Sequence, residues 1–326
     1  MSSVNPPDTA PVIIVFGGAG FIGHHLMKRL VAEGAARVIS VDIRAPKFPV
    51  PGVDYRSGDV RDLSGFAVDG PVSTIYNLAA VHTTPGHPTH EYYEANVLGA
   101  TEITAFARRH AVNDIVFTSS ISVYGPGESQ KTEETPVAPE SAYGWSKYLA
   151  ERIHRAWLAE DDARRLTIVR PAVVFGPHEG GNFTRMARLL KKGFFIYPGR
   201  TDTIKACIYV EDLLDAVAFA HRNNARFTLF NGCYPDRYTI SQIVQAFRAA
   251  SFPRARTFTI PLWVVKTAAS LLRPLSALGL GIHPDRVMKL VRSTDIHPGW
   301  LLQQGAAKTG GLPDALARWA RANNYE

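Results

Sequence analysis

Tyr143 and Lys147 are four residues apart in Tyr143-Gly144-Trp145-Ser146-Lys147, which puts a phenol and an ammonium on one face of a helix. A phenol with an ordinary pKa of about 10 becomes a base near neutral pH only beside a positive charge. Lys147 is placed to supply that charge. Upstream, the apolar run beginning at Ile115 ends in Thr118-Ser119-Ser120-Ile121-Ser122, so hydroxyls are delivered from the end of a strand. Ser120 is the candidate to hydrogen-bond the same substrate oxygen as Tyr143, and Ser122 is a second hydroxyl on the substrate side. Ser120, Tyr143 and Lys147 together suit proton transfer at an alcohol or carbonyl oxygen during hydride transfer at its carbon. Tyrosine and lysine at helical spacing are common, so the weight of this reading comes from the elements that position them.

The decisive element opens the chain. Val12-Ile13-Ile14-Val15-Phe16 reads as a buried strand and runs into Gly17-Gly18-Ala19-Gly20-Phe21-Ile22-Gly23, with Leu26, Leu30 and Val31 following at helical spacing before Gly34. A strand, a glycine turn and a helix in this order hold a dinucleotide pyrophosphate: Gly17, Gly20 and Gly23 permit close backbone approach, and the amides from Phe21 and Ile22 onward face the phosphates. A second strand, Arg37 to Val41, stops at Asp42, whose carboxylate suits the adenosine ribose hydroxyls. NAD is therefore expected in preference to NADP, although Arg44, two residues on, could accept a 2′-phosphate or lie over the adenine. The hydride then passes to or from nicotinamide.

The 326 residues, 46% hydrophobic and 20% charged, are those of a globular chain long enough for two lobes. Further strand-like runs at Thr74 to Ala80, Ile115 to Ser119 and Leu166 to Arg170 alternate with helical stretches. This predicts an α/β fold with a doubly wound parallel sheet of Rossmann type. Residues 1–10 read as a flexible tail, 11–170 as the dinucleotide-binding domain, and 171–326, broken by many prolines and glycines, as mainly a smaller substrate-binding lobe. The segment Ala206 to Val210 and the helix after it, about 204–222, are expected to rejoin the first sheet. The start of the chain lacks a signal-peptide pattern, and Cys207 and Cys233 are the only cysteines, so a cytoplasmic protein without disulfides is expected.

The net charge of +7 is scattered rather than massed, which argues against nucleic acid, but basic residues gather at Arg185 to Lys192 and Arg200 to Lys205. Ile260 to Ile282 is apolar but interrupted by Lys266, Arg273 and Pro274. It reads as a packed helix pair, with an interfacial amphipathic segment as the alternative, and not as a membrane span. His82, His87 and His90 fit no standard zinc spacing, so no metal is expected, and His82 is taken as substrate-facing. His24 and His25 belong to the first helix, one buried and one exposed.

Taken together, the chain resembles the extended short-chain dehydrogenase/reductases of the NAD-dependent epimerase/dehydratase family, and within it the nucleotide-sugar 4-epimerases. The pieces that carry this are the glycine turn, Gly58-Asp59-Val60-Arg61-Asp62, Asn77-Leu78-Ala79-Ala80, Asn96-Val97-Leu98-Gly99, Thr118 to Gly125, Tyr143 to Lys147, and Arg170-Pro171 through Pro177. The resemblance implies that Asp59 and Val60 line the adenine pocket, that Leu78, Ala79, Ala80 and Pro171 flank the cofactor, and that Asn96 supports Lys147. It implies epimerisation of a nucleoside-diphosphate sugar at carbon 4 through a transient 4-keto sugar, as in surface polysaccharide synthesis. It also implies a homodimer paired through helices around 96–109 and 143–157. A one-way 4-keto-sugar reductase and a 3-beta-hydroxysteroid-type dehydrogenase use the same three residues.

Departures from the family pattern narrow the reaction. Relatives that remove water from the sugar carry Thr-Asp-Glu at the strand end, whereas this chain has Ser120-Ile121-Ser122, which disfavours a 4,6-dehydratase. Val173 stands where many UDP-sugar enzymes have an asparagine. Asn182, in Gly181-Asn182-Phe183, resembles the family's nucleotide-contacting loop. Lys205 stands where a phosphate-binding arginine is frequent, and Arg286 and Arg292 are further diphosphate candidates.

Overall fold

A computed structural model describes residues 10–35, 37–83, 86–261, 263–264, 267 and 291–326. Contacts divide the chain into two units, one of Met1–Gly125, Pro136–Arg170 and Leu214–Phe230, the other of Pro126–Thr135, Pro171–Leu213 and Asn231–Glu326.

The first unit is built on a seven-stranded sheet. Its strands are β1 (Val12–Phe16), β2 (Arg37–Asp42), β3 (Val53–Ser57), β4 (Val72–Asn77), β5 (Asp114–Thr118), then β7 (Arg165–Pro171) and β11 (Phe227–Gly232), four strands later in the chain. The order is β3-β2-β1-β4-β5-β7-β11, and the pairs from β3 through β7 are parallel. Chain direction therefore reverses its walk across the sheet between β1 and β4, where open α/β sheets bind ligands. β1 is apolar on both faces because helices cover both sides. Among these, α1 (Phe21–Ala32), α3 (Gly99–Arg109) and α4 (Ala142–Ala159) bury their apolar stripes, with Phe106 meeting Phe16 edge-on and Trp157 in the core. A short helix, α2 (Thr89–Tyr93), precedes α3.

The second unit contains three short parallel pairs: β8 (Val173–Phe175) with β10 (Cys207–Tyr209), β9 (Phe194–Pro198) with β12 (Arg256–Ile260), and β6 (Gly127–Lys131) with β13 (Thr294–Ile296). Phe175 stacks on Phe183 of α5 (Asn182–Lys191), and Phe247 of α7 (Ile240–Ala250) packs with Trp319 and Tyr325.

The sheet departs from the sequence reading at one edge. The segment 206–210 does not pair with the seven-stranded sheet; its three-residue core, β10, pairs with β8. The strand beside β7 is Phe227–Gly232, after α6 (Val210–Arg222). Of the two histidines, His25 is buried, but His24 is half-buried and not exposed, its Nδ1 lying 3.0 Å from the Phe48 carbonyl. Most of the apolar stretch Ile260 to Ile282 lies outside the described residues. Among those described, no helix is long and apolar enough to cross a membrane.

Candidate active site

The glycine turn has the geometry its residue types require. Gly17 has φ +80°, and a Cβ there would lie 2.6 Å from the Ala79 amide nitrogen; at Gly23 it would lie 2.6 Å from the Gly18 carbonyl oxygen. Neither space admits a side chain, so strand, turn and helix pack backbone to backbone. No side chain caps the start of α1 at Gly20, and its first turn holds no acid, so the positive end of the helix is left for an anion. Asp42 closes the other side. One of its carboxylate oxygens accepts from the Ala19 amide at 3.2 Å and the other from the Arg44 amide at 3.0 Å. The Arg44 side chain is 72% exposed, its Nε 3.9 Å from the Asp42 carboxylate. This cradle of bare amides, glycine backbone and an oriented carboxylate fits a dinucleotide.

The residues assigned to the adenine side are partly engaged already. Arg61 grips both oxygens of Asp59, the shortest contact at 2.6 Å, and this hydrogen bonding holds the carboxyl below its usual range. Val60 is buried against Gly99, where a Cβ would come within 2.9 Å of it. Leu78 donates its amide to the Phe16 carbonyl at 2.9 Å, and Leu78, Ala79 and Ala80 are half-buried just past β4. Pro171 is buried at the last position of β7.

Ser120 ends the β5 segment and caps the short turn Ile121–Tyr124, its Oγ accepting from the Ser122 amide and donating to Ser122 Oγ, both at 3.1 Å. Tyr143 stands in the first turn of α4, whose N-cap Ser141 accepts from the Gly144 amide at 3.0 Å. Burial raises the Tyr143 pKa, and the Ser120 hydroxyl acts against that rise. Lys147, one turn on, is buried with its Nζ 4.6 Å from the centre of the Phe117 ring. Burial lowers its pKa to about 7, opposed by the charge of Glu151. The same desolvation thus acts on phenol and amine alike, and groups perturbed in this way are what a proton-transfer site is built from.

Asn96 lies in a π-helical turn, Glu94–Leu98, and its amide is fully used: it accepts from the Val81 amide at 2.9 Å and donates to the Val81 carbonyl at 3.1 Å and to Ser146 Oγ at 2.8 Å. Ser146 in turn donates to the Tyr143 carbonyl at 2.9 Å. Asn96 therefore meets the start of α4 through Ser146 rather than through Lys147.

Three further residues were not singled out from the sequence. Glu151 accepts two hydrogen bonds from Arg170, at 2.8 and 2.6 Å, and one from Ser119 Oγ at 2.6 Å; Arg170 also donates to the Tyr124 hydroxyl at 2.8 Å. Gly144 is the third, since a Cβ there would lie 2.5 Å from the Ser122 carbonyl oxygen. Glu151 follows Tyr143 and Lys147 at helical spacing on one face, a signal present in the sequence.

The substrate candidates divide between the units. His82 lies after β4, where burial lowers its pKa, and Ser122 is half-buried beside Ser120. In the second unit Asn182 is at the start of α5, whose first turn is held by Glu179 accepting from Thr184. Lys205 Nζ donates to the Arg292 carbonyl at 2.5 Å, and burial lowers its pKa to about 8. Arg286 lies outside the described residues. Among the described residues no group of His, Cys, Asp and Glu is arranged to hold a metal.

The model of the NAD dependent epimerase/dehydratase family matches residues 13–231, and the chain belongs to that family. It is 31% identical over 221 residues, 65% of this chain and 64% of the relative, to the N-acetyl-alpha-D-glucosaminyl-diphospho-ditrans,octacis-undecaprenol 4-epimerase of Escherichia coli O157:H7. It is 29% identical over 215 residues, 63% of this chain and 65% of the relative, to the UDP-glucose 4-epimerase of Vibrio cholerae. The chain thus spans just under two thirds of the length of these relatives. Its fold is that of the Thermus thermophilus UDP-glucose 4-epimerase solved with NAD, with a TM-score of 0.73 at 20% identity over 96% of this chain and 98% of that one.

Proposed function

We propose that the protein is an NAD-dependent 4-epimerase of a diphosphate-linked sugar, with a nucleoside-diphosphate sugar as substrate and Ser120, Tyr143 and Lys147 as its catalytic residues. The observation that carries the reading is Tyr143 in the first turn of α4, with the Ser120 hydroxyl opposing the rise of its pKa and Lys147 buried one helical turn on. Gly17, Gly20, Gly23 and the first amides of α1 hold the pyrophosphate, and Asp42 takes the ribose hydroxyls, which favours NAD. Bound NAD supplies the hydride acceptor and donor. Tyr143 takes the proton from the sugar's 4-hydroxyl and returns it after the 4-keto sugar has turned over; Ser120 hydrogen-bonds the same oxygen, and Lys147 favours the phenolate. Net redox change is zero. Asn182, Lys205 and Arg292 bind the substrate's nucleotide and diphosphate.

The protein works in the cytoplasm as a homodimer, a reading supported by the exposed Leu98, Trp145 and Leu149 on the helical stretches assigned to pairing. A second reading of the same chemistry is favoured by the Escherichia coli relative, whose name specifies a sugar on a polyprenyl diphosphate: the diphosphate here carries a lipid instead of a nucleoside.

The test is to purify the protein without added cofactor, release and identify its dinucleotide, and assay UDP-, GDP- and dTDP-sugars and a polyprenyl-diphospho-sugar for 4-epimer formation. Bound NAD with interconversion of two 4-epimers is the expected result. Empty protein that consumes NADPH only with a keto substrate overturns the reading in favour of a reductase.

A further inference from the structure

The strands β9 and β12 come from two stretches that contain no acidic residue. Gly180 to Thr201 carries Arg185, Arg188, Lys191, Lys192 and Arg200, and Tyr238 to Pro284 carries Arg248, Arg254, Arg256, Lys266 and Arg273, with neither Asp nor Glu in either. Elsewhere the two signs are interspersed, so the separation is local.

Pairing organises this composition. Phe258 lies opposite Ile196, Arg256 opposite Phe194 and Ile260 opposite Pro198. Alternation along β9 turns Phe195 and Tyr197 into the core and Ile196 outward. The outward cross-strand pair is far from covered: Ile196 is 38% exposed and Phe258 53%, and Trp263 just beyond β12 is 71% exposed. Because the strands are parallel, Lys191 and Lys192 before β9 and Arg254 before β12 lie at one end of the ribbon, and all three are exposed. Single apolar side chains on a surface are ordinary. An apolar cross-strand pair followed by a tryptophan that is largely exposed, with Lys191, Lys192 and Arg254 at one end, has the composition of a membrane-interface surface, where aromatic rings sit among headgroups and basic side chains meet anionic lipid.

We infer that the outer face of the β9–β12 ribbon, with Ile196, Phe258 and Trp263 as apolar contacts and Lys191, Lys192, Arg254 and Arg256 as cationic ones, docks on an anionic phospholipid bilayer. The inference deepens the lipid-linked reading above and rests on it for the substrate only: docking delivers the enzyme to a sugar carried on a membrane-held diphosphate. The surface attracts by charge and holds by shallow insertion, without any span.

Co-sedimentation of the full chain with phosphatidylglycerol–phosphatidylcholine vesicles, against pure phosphatidylcholine vesicles, tests this without reference to catalysis. Binding to the anionic vesicles, lost on raising salt and weak on phosphatidylcholine, is the expected result. Lys191→Gln with Lys192→Gln should lower the partition coefficient about fivefold per lysine, and Ile196→Ser with Phe258→Ser should lower it at least as far, with bound dinucleotide unchanged in both as the check on folding. No sedimentation at low salt, equal binding to both vesicle types, or variants that bind like the parent would overturn the inference. So would a parent of twice the mass of the Ile196→Ser/Phe258→Ser variant in solution, which would assign the face to a second copy of the chain.

Discussion

Glu151 and Arg170 form a bidentate ion pair, at 2.8 and 2.6 Å, that is sealed from solvent on both sides. Glu151 sits one turn past Lys147 on α4, and Arg170 lies near the end of β7, so the pair ties the helix that carries the phenol and the amine to the strand beside β5. Two charges buried together gain little over two apolar groups, but either one alone is costly. Glu151→Gln should therefore lower the unfolding free energy by about 3–5 kcal/mol, read from urea denaturation. Glu151→Met with Arg170→Met should recover most of that loss, and an equal loss in the double variant would sink the account.

Tyr143→Phe removes the hydroxyl assigned to proton transfer and little else. Turnover should fall about 10²- to 10⁴-fold while the dinucleotide content of the purified protein stays the same. Retained turnover would remove Tyr143 from the mechanism.

Lys147 imposes a pH dependence on stability whose sign follows from its lowered pKa. Folded, the amine titrates at about 7; unfolded, it returns to 10.5. Between these values the unfolded chain binds more protons, so this group's burial costs most below pH 7 and the cost is relieved as pH rises toward 10.5. Lys147→Met should stabilise the dinucleotide-stripped protein by on the order of a few kcal/mol near neutrality, with the advantage shrinking steadily toward alkaline pH in paired thermal melts.

Gly144→Ala places a methyl against the Ser122 carbonyl, which must move or push α4 away. The expected cost is about 1–3 kcal/mol in stability, with kcat reduced more than KM is raised, because the displaced element carries Tyr143. Wild-type kcat in this variant would show that the approach of the two backbones does not matter to the site.

Asp42→Ser should weaken NAD by roughly tenfold or more, about the value of a lost charged hydrogen bond, and bring NADP closer to it, since Arg44 loses its carboxylate neighbour. Titration calorimetry with both dinucleotides separates the effects; unchanged preference would assign the ribose contact elsewhere.

The strand-to-turn-to-helix opening and the alternation of elements were legible because long apolar runs and glycine spacing have few other physical explanations. The strand by which the chain rejoins the sheet was not, although much of the helix after 206–210, from Leu214, does return to the first unit. β10 is three residues long, too short for any period, while Phe227–Gly232 mixes threonine, asparagine and glycine among its apolar residues and does not stand out as a strand. The Glu151–Arg170 pair was hidden for another reason: charged residues on a helix read as solvated surface unless a partner is known, and this partner lies on a distant strand. The support of Lys147 by Asn96 was an expectation from the family resemblance, and the route from Asn96 into α4, through Ser146, needed coordinates.

Ser119 and Ser120 are neighbours of identical chemistry facing opposite ways: one hydroxyl is locked to Glu151 in the interior, the other lies with Ser122 and Tyr143. Their duties are divided by position in the pleat and not by type. The β5 segment is consequently a counted length, and an insertion or deletion of one residue within it would turn each serine to the opposite face, leaving a chain of almost unchanged composition with the Glu151 anchor lost from the core.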